Sequence, residues 1–121
     1  MYVITFIYPT PKSRAFDHDY LRDVHVPMGI AMVSKYLGVE PEQAWTERVD
    51  DGGPHAAVVH LMFARRQDRD VVPRIGDFAE VQAVMGGDYD NYTDTPPSMH
   101  MSEWTATNIA ASIQKYANLT A

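Results

Sequence analysis

The sequence predicts an α+β fold: a four-stranded antiparallel sheet built in the order strand, helix, strand, strand, helix, strand. Three observations carry this. Tyr2 to Tyr8 is a run of β-branched and aromatic residues closed by Pro9 and Pro11. Asp17 to Leu37 carries apolar residues at helical spacing and stops at Gly38. Tyr89-Asp90-Asn91-Tyr92-Thr93-Asp94 then ends a second helix, shapes a turn and leads through Thr95-Pro96-Pro97 into the alternating segment Ser98 to Thr105.

The first strand has apolar residues in both alternating sets, as expected of a strand buried on both faces. Lys12-Ser13-Arg14 is a polar loop. Asp17 suits a helix N-cap because its carboxylate accepts from unpaired backbone N–H groups. Phe16 and Leu21 flank it at the spacing of a hydrophobic staple. The helix offers two stripes, Leu21, Val24, Met28, Met32 and Tyr36, and Val26, Ile30, Val33 and Leu37. Two stripes mean cover on more than one side, and the first is expected to face the sheet. Pro27 lies inside the helix, where it lacks a donor and clashes with the preceding turn. A kink is expected beside His25, with the Asp23 carbonyl released.

Gln43 to Val49 reads as the second strand and Ala56 to Ala64 as the third, joined by the turn Asp50-Asp51-Gly52-Gly53-Pro54. Arg65 to Asp70 reads as a charged loop. A second helix falls between Val71 and Met85 and stops at Gly86-Gly87. Its start has two candidates, Pro73 as a first-turn proline and Asp77-x-x-Glu80 as a capping box. Met99 to Thr107 is the fourth strand, and Asn108 caps a short last helix bearing Ile109, Ile113 and Tyr116. This is the ferredoxin-like βαββαβ order. Two helices on one face leave the other face of the sheet bare, and a second copy is the simplest cover. The expected assembly is therefore a homodimer with sheets packed face to face.

The 121 residues fit one domain, 1–121, with 45% apolar content. There are no cysteines, which excludes disulfides, thiolate metal sites and cysteine nucleophiles. A formal charge of −6 argues against nucleic acid or an anionic membrane surface as partner. No apolar run reaches a membrane span. Met1-Tyr2-Val3-Ile4-Thr5 has no basic leader character and reads as strand, so a cytoplasmic location is expected.

Tyr8-Pro9, Phe16-Asp17-x-x-Tyr20-x-x-x-x-His25-x-Pro27, and Asp90-x-Tyr92-Thr93-Asp94 with Pro97 and Met99 to Glu103 together resemble the EthD (ethyl tert-butyl ether degradation) family of dimeric α+β barrel proteins. The resemblance runs in order along nearly the whole chain. Leu21 departs from it, standing where a second aromatic often follows Tyr20, as does the glycine-rich Asp51 to His55 loop. It implies a dimeric α+β barrel associated with degradation or oxidation of organic compounds. The founding member accompanies an ether-cleaving oxidase system. Similar barrels include cofactor-independent monooxygenases, muconolactone isomerases and haem-handling enzymes, and fold analogy alone does not choose among them.

His25 is the first candidate catalytic residue. Imidazole titrates near neutral pH and suits a general base or a donor to a carbonyl, and the resemblance favours it over a core histidine that caps backbone freed by Pro27. Tyr8 ends the first strand and can aim its phenol into a cleft. Met28 and Met32 follow His25 on its stripe. His60 lies mid-strand, His100 on the last strand, and Tyr92 and Trp104 complete the candidate binding set. Histidines 25, 60 and 100 lack short ligand spacing, so no metal is expected, and no cofactor motif occurs. Paired carboxylates, a Ser-His-Asp order and a phosphate loop are likewise absent from the pattern.

Two readings are open. In the first, a small cofactor-independent enzyme acts on a hydrophobic, carbonyl-bearing or aromatic molecule. It would be an oxygenase, isomerase or decarboxylase in which His25 moves a proton and Tyr8 or His100 holds an oxygen. In the second, a non-catalytic accessory protein carries a hydrophobic intermediate for a partner oxidase, as methionine-rich clefts allow.

Overall fold

A computed structural model describes residues 1–119. Strand β1 is Tyr2–Pro9, β2 Gln43–Arg48, β3 His55–Phe63 and β4 Ser98–Glu103. They form one sheet in the order β2-β3-β1-β4, and each neighbouring pair is antiparallel. The α+β, ferredoxin-like class expected from the sequence is the class observed. β4 is shorter than expected. Trp104 still exchanges backbone bonds with Met1 just beyond it.

The long helix, α1, runs through His18–Tyr20, a π-helical turn at Leu21–His25, and Val26–Leu37. Asp17 caps it by accepting from the Tyr20 N–H at 3.0 Å. Gly38 ends it at φ 68°, a left-handed conformation that costs glycine little, with its N–H on the Ser34 carbonyl. The irregularity at Pro27 takes the form of a wide turn: the Val26 N–H reaches back five residues to the Leu21 carbonyl. A π turn inserts one residue into the helical repeat and rotates the next residues along the helix by about 100°.

That rotation corrects the expected facing of α1. Leu21 and Val33 are buried, and Val26, Ile30 and Leu37 pack on the core. Val24 is exposed and Met28 only half-buried. Of the first stripe, Leu21 at the start of the π turn meets the core; beyond the turn, the second stripe does.

The charged segment expected as a loop contains helix α2, Arg66–Val71. Arg66 and Asp70 are exposed, while the Arg69 guanidinium turns inward to donate to the Ser102 carbonyl at 2.8 Å. The expected second helix is broken. A 3-10 stretch, Val72–Asp77, holds Pro73 and Gly76; α3, Ala79–Val81, comes next and continues into a π turn at Gln82–Gly86. A 3-10 turn at Tyr89–Asn91 leads to β4. Asn108 caps α4, Ile109–Lys115, by accepting from the Ala111 N–H at 2.9 Å.

Alternation along the strands separates two faces. Ile4 and Tyr8 of β1 with Ala57, Val59, Leu61 and Phe63 of β3 join the core beneath the helices. Thr5 pairs with His60 on one side and His100 on the other, placing all three on the opposite face.

Candidate active site

A cavity of about 480 Å³ lies between α1 and the helix-covered face of the sheet. Phe6, Tyr8, Val59 and Leu61 form its floor. Val26, Gly29, Ile30, Met32 and Val33 line the α1 side. The broken second helix closes it with Val72, Ile75, Gly76, Val81, Gln82, Met85 and Gly86. A wall this apolar suits a greasy ligand oriented by few polar groups. The polar side chains on it are His25, Tyr8 and Gln82, and the Gln82 amide donates to the Gly76 carbonyl.

His25 is the last residue of the π turn and is 5% exposed. Its Nδ1 lies 2.8 Å from Oδ2 of Asp88, itself 6% exposed. The other carboxylate oxygen, Oδ1, accepts from the Tyr20 hydroxyl at 2.6 Å and the Asn91 amide at 2.9 Å. Burial pushes the Asp88 carboxyl up, but the donors Tyr20, His25 and Asn91 outweigh it and hold the group below its ordinary range. Burial lowers the His25 pKa, and the Asp88 bond and charge only partly oppose it. At neutral pH the pair is therefore a carboxylate and a neutral imidazole. An ionised Asp88 can only accept, so it assigns the imidazole proton to Nδ1. Nε2 is left as an acceptor with no hydrogen-bond partner among the described residues, on a ring that lines the cavity. A carboxylate that fixes the tautomer and stabilises the imidazolium is the usual support of a histidine base.

Tyr8 and Tyr92 share a buried hydroxyl–hydroxyl bond of 3.0 Å. Burial raises both phenols, so both stay protonated. Tyr92 is 0% exposed, and Tyr8 is its hydroxyl's partner. If Tyr8 donated, the Tyr92 proton would be buried unmatched at a cost of about 1–3 kcal/mol. Tyr92 is therefore the donor, and the Tyr8 proton is free for the cavity that Tyr8 lines. The His25 ring packs on Tyr92 at 4.8 Å and on Tyr89 at 5.1 Å. One tyrosine thus braces both groups, and the wall presents a proton acceptor together with a proton donor.

The other candidates separate. Met32 lines the cavity; Met28 does not, because the π turn rotates it off that face. Tyr92 supports Tyr8 and His25 from behind the wall rather than lining it. His60, His100 and Trp104 lie across the sheet from the cavity. His60 bonds Thr5 Oγ1 at 3.1 Å and Glu47 Oε1 at 3.1 Å, with the Trp104 ring edge-on at 5.0 Å. Sequence reasoning does not reach Asp88, and it reads Tyr89 only as part of the turn that ends the second helix. Asp88 comes just after Gly86-Gly87, which reads as a helix stop, and no pattern links it to a histidine 63 residues earlier. Tyr20 belongs to the motif around His25, but its task in holding Asp88 emerges only from the fold.

Fold and cavity define an α+β protein with a buried histidine–aspartate pair on an apolar chamber. The same fold occurs in the crystal structure of an EthD-like protein from Ralstonia eutropha JMP134. That match has a TM-score of 0.63 and 23% identity, and covers 90% of this chain and 96% of that one. An EthD-family protein from Bacillus halodurans C-125 matches with a TM-score of 0.55 at 10% identity, over 87% of this chain and 99% of that one. This chain has the fold of those EthD-like proteins. No protein-family model matches the sequence, and no curated protein matches it. No helix among the described residues is long and apolar enough to cross a membrane.

Proposed function

We propose that this protein binds a largely apolar organic molecule bearing an enolisable carbonyl, and that His25 moves a proton on it. Nε2 takes the proton from the carbon beside the carbonyl, and the C–H electron pair passes into the enolate. The Tyr8 O–H donates to the oxygen where negative charge develops, and Asp88 stabilises the imidazolium formed. Returning the proton to another carbon is an isomerisation, and returning it to the same carbon is exchange with solvent. The observation that carries this reading is the His25–Asp88 bond of 2.8 Å behind a mainly apolar cavity wall, on which His25 stands with Tyr8 and Gln82 as its polar side chains.

The second reading is a carrier for a partner oxidase, favoured by the Met32 and Met85 side chains on the wall. Both readings include a homodimer. Trp45 and Trp104 stand 59% and 43% exposed on or beside the sheet, and Ile109 and Ile113 of α4 are 73% and 67% exposed. A second copy would bury them.

Exchange of solvent deuterium into a para-alkyl acetophenone, measured by proton NMR, separates the readings. Catalysed exchange that falls by about a hundredfold or more in His25→Ala supports proton transfer. Tight binding with no exchange above buffer leaves the carrier reading. Neither binding nor exchange across a panel of such ketones refutes both.

A further inference from the structure

We propose that two copies of this chain exchange their C-terminal arms, Thr105 to Leu119: α4 of each copy lays its apolar stripe on the body of the other. This rests on the homodimer reading and names the segment that ties the copies together. Ile109, Ile113 and Tyr116 recur at i, i+4 and i+7, one face of a helix. They are 73%, 67% and 56% exposed, and Leu119 beyond them is 76% exposed. At this end of the chain the last bonds to the body are those of Trp104 with Met1. Past Trp104, the hydrogen bonds of the described residues stay within the arm: Asn108 with Ala111 and Ser112, Ser112 with Tyr116, Gln114 with Ala117, and Tyr116 with Leu119. A helix of seven residues is well below the length that sustains itself in water. Its own body gives α4 no seat for the stripe, so the support comes from another molecule.

The place where the arm departs makes that molecule a second copy. β4 is an edge strand, and Trp104 follows it directly with its ring against His60 on the open face of the sheet. The arm therefore leaves from the rim of the surface that the homodimer would bury. Sheets packed face to face lie about 10 Å apart. Residues 105–108 form neither helix nor strand, and four extended residues span up to about 14 Å. That reach carries α4 from the rim of one sheet to the copy facing it. Trp45 of β2, 59% exposed, pairs with His60 and so shares the open face, where it offers the arriving stripe an apolar seat. A two-fold axis repeats the contact, and two arms then clasp two bodies.

The test uses the full chain. Sedimentation over a range of concentrations gives the dimer dissociation constant of wild type and of a variant carrying Ile109→Ala and Ile113→Ala. Alanine favours the helix, and both positions are exposed in the single copy, so the variant alters the stripe and leaves the body as it is. Four truncated side chains per dimer should weaken it by roughly a hundredfold or more. A sample mixing carbon-13-labelled with unlabelled chains locates the arm: filtered NOEs should run from the Ile109 and Ile113 methyls of one copy to protons of the other. Methyl contacts confined to the same copy, or a dissociation constant the variant leaves unchanged, overturn the exchange and leave the homodimer standing. A wild type that stays monomeric at every concentration overturns the exchange and the homodimer together, and leaves the reading of the cavity untouched.

Discussion

Asp88→Asn is the most informative single change. The carboxylate receives three donors: Tyr20 and Asn91 on Oδ1, and His25 on Oδ2. An amide of the same shape has one oxygen and one NH₂. With Tyr20 and Asn91 donating as they do now, the amide oxygen keeps both bonds only by turning toward them. The NH₂ then faces His25 Nδ1, which must accept. The reverse orientation keeps the histidine bond and sets NH₂ against two donors. Losing two neutral bonds costs about 1–3 kcal/mol, so the first orientation wins by roughly five- to 150-fold. The imidazole proton therefore moves to Nε2, and the cavity wall loses its acceptor. Three charge-assisted bonds also become neutral ones. This is a loss of about 1–3 kcal/mol after allowing for the easier burial of an amide. Nitrogen-15 NMR of labelled histidine reports the tautomer directly, and urea denaturation reports the stability. A variant whose Nε2 remains unprotonated at neutral pH would refute the assignment of roles within this network.

Three further outcomes rest on the same geometry. Tyr8→Phe strands the Tyr92 hydroxyl and should cost about 1–3 kcal/mol, whereas Tyr8→Phe with Tyr92→Phe should recover much of it; equal losses in the single and double variants, measured in urea, would deny the proton direction proposed for that pair. The folded His25 pKa lies below its unfolded value near 6.5. Above that pH the group contributes nothing, and as pH falls through about 6.5 the unfolded chain binds the proton first and stability drops. Asp88, depressed when folded, contributes stability above about pH 4 that is lost on further acidification. A urea midpoint that holds flat between pH 7 and about 5 would contradict the burial of a neutral His25. Trp104→Lys should leave the cavity unchanged and shift the mass in analytical ultracentrifugation from dimer to monomer; a monomeric wild type would end the homodimer proposal.

The fold can be read from the sequence because its signals are local. The Asp17 cap, the Gly38 stop and the Tyr2 to Tyr8 run each act within a few residues. Pro27 announces an irregularity beside His25, but not that it is a π turn, and the one-residue phase shift carries Met28 away from the cavity. Helix α2 is hidden because Arg66 to Val71 has the composition of a loop. Of the candidate site, the cavity-lining residues His25, Tyr8 and Met32 are visible. Asp88 is not, since its place opposite His25 depends on how a broken helix packs against α1. His60 and His100 flank Thr5 in register, but strand alternation sends all three to the face away from the helices. Sequence spacing names the face only when the register is known.

A crystal structure with a para-alkyl acetophenone tests the central claim most directly. The ketone is expected between α1 and the sheet, its oxygen about 3 Å from Tyr8 Oη and its α-carbon facing His25 Nε2. A ligand seated on the opposite face beside His60 and His100, with the chamber by His25 unchanged, would contradict it.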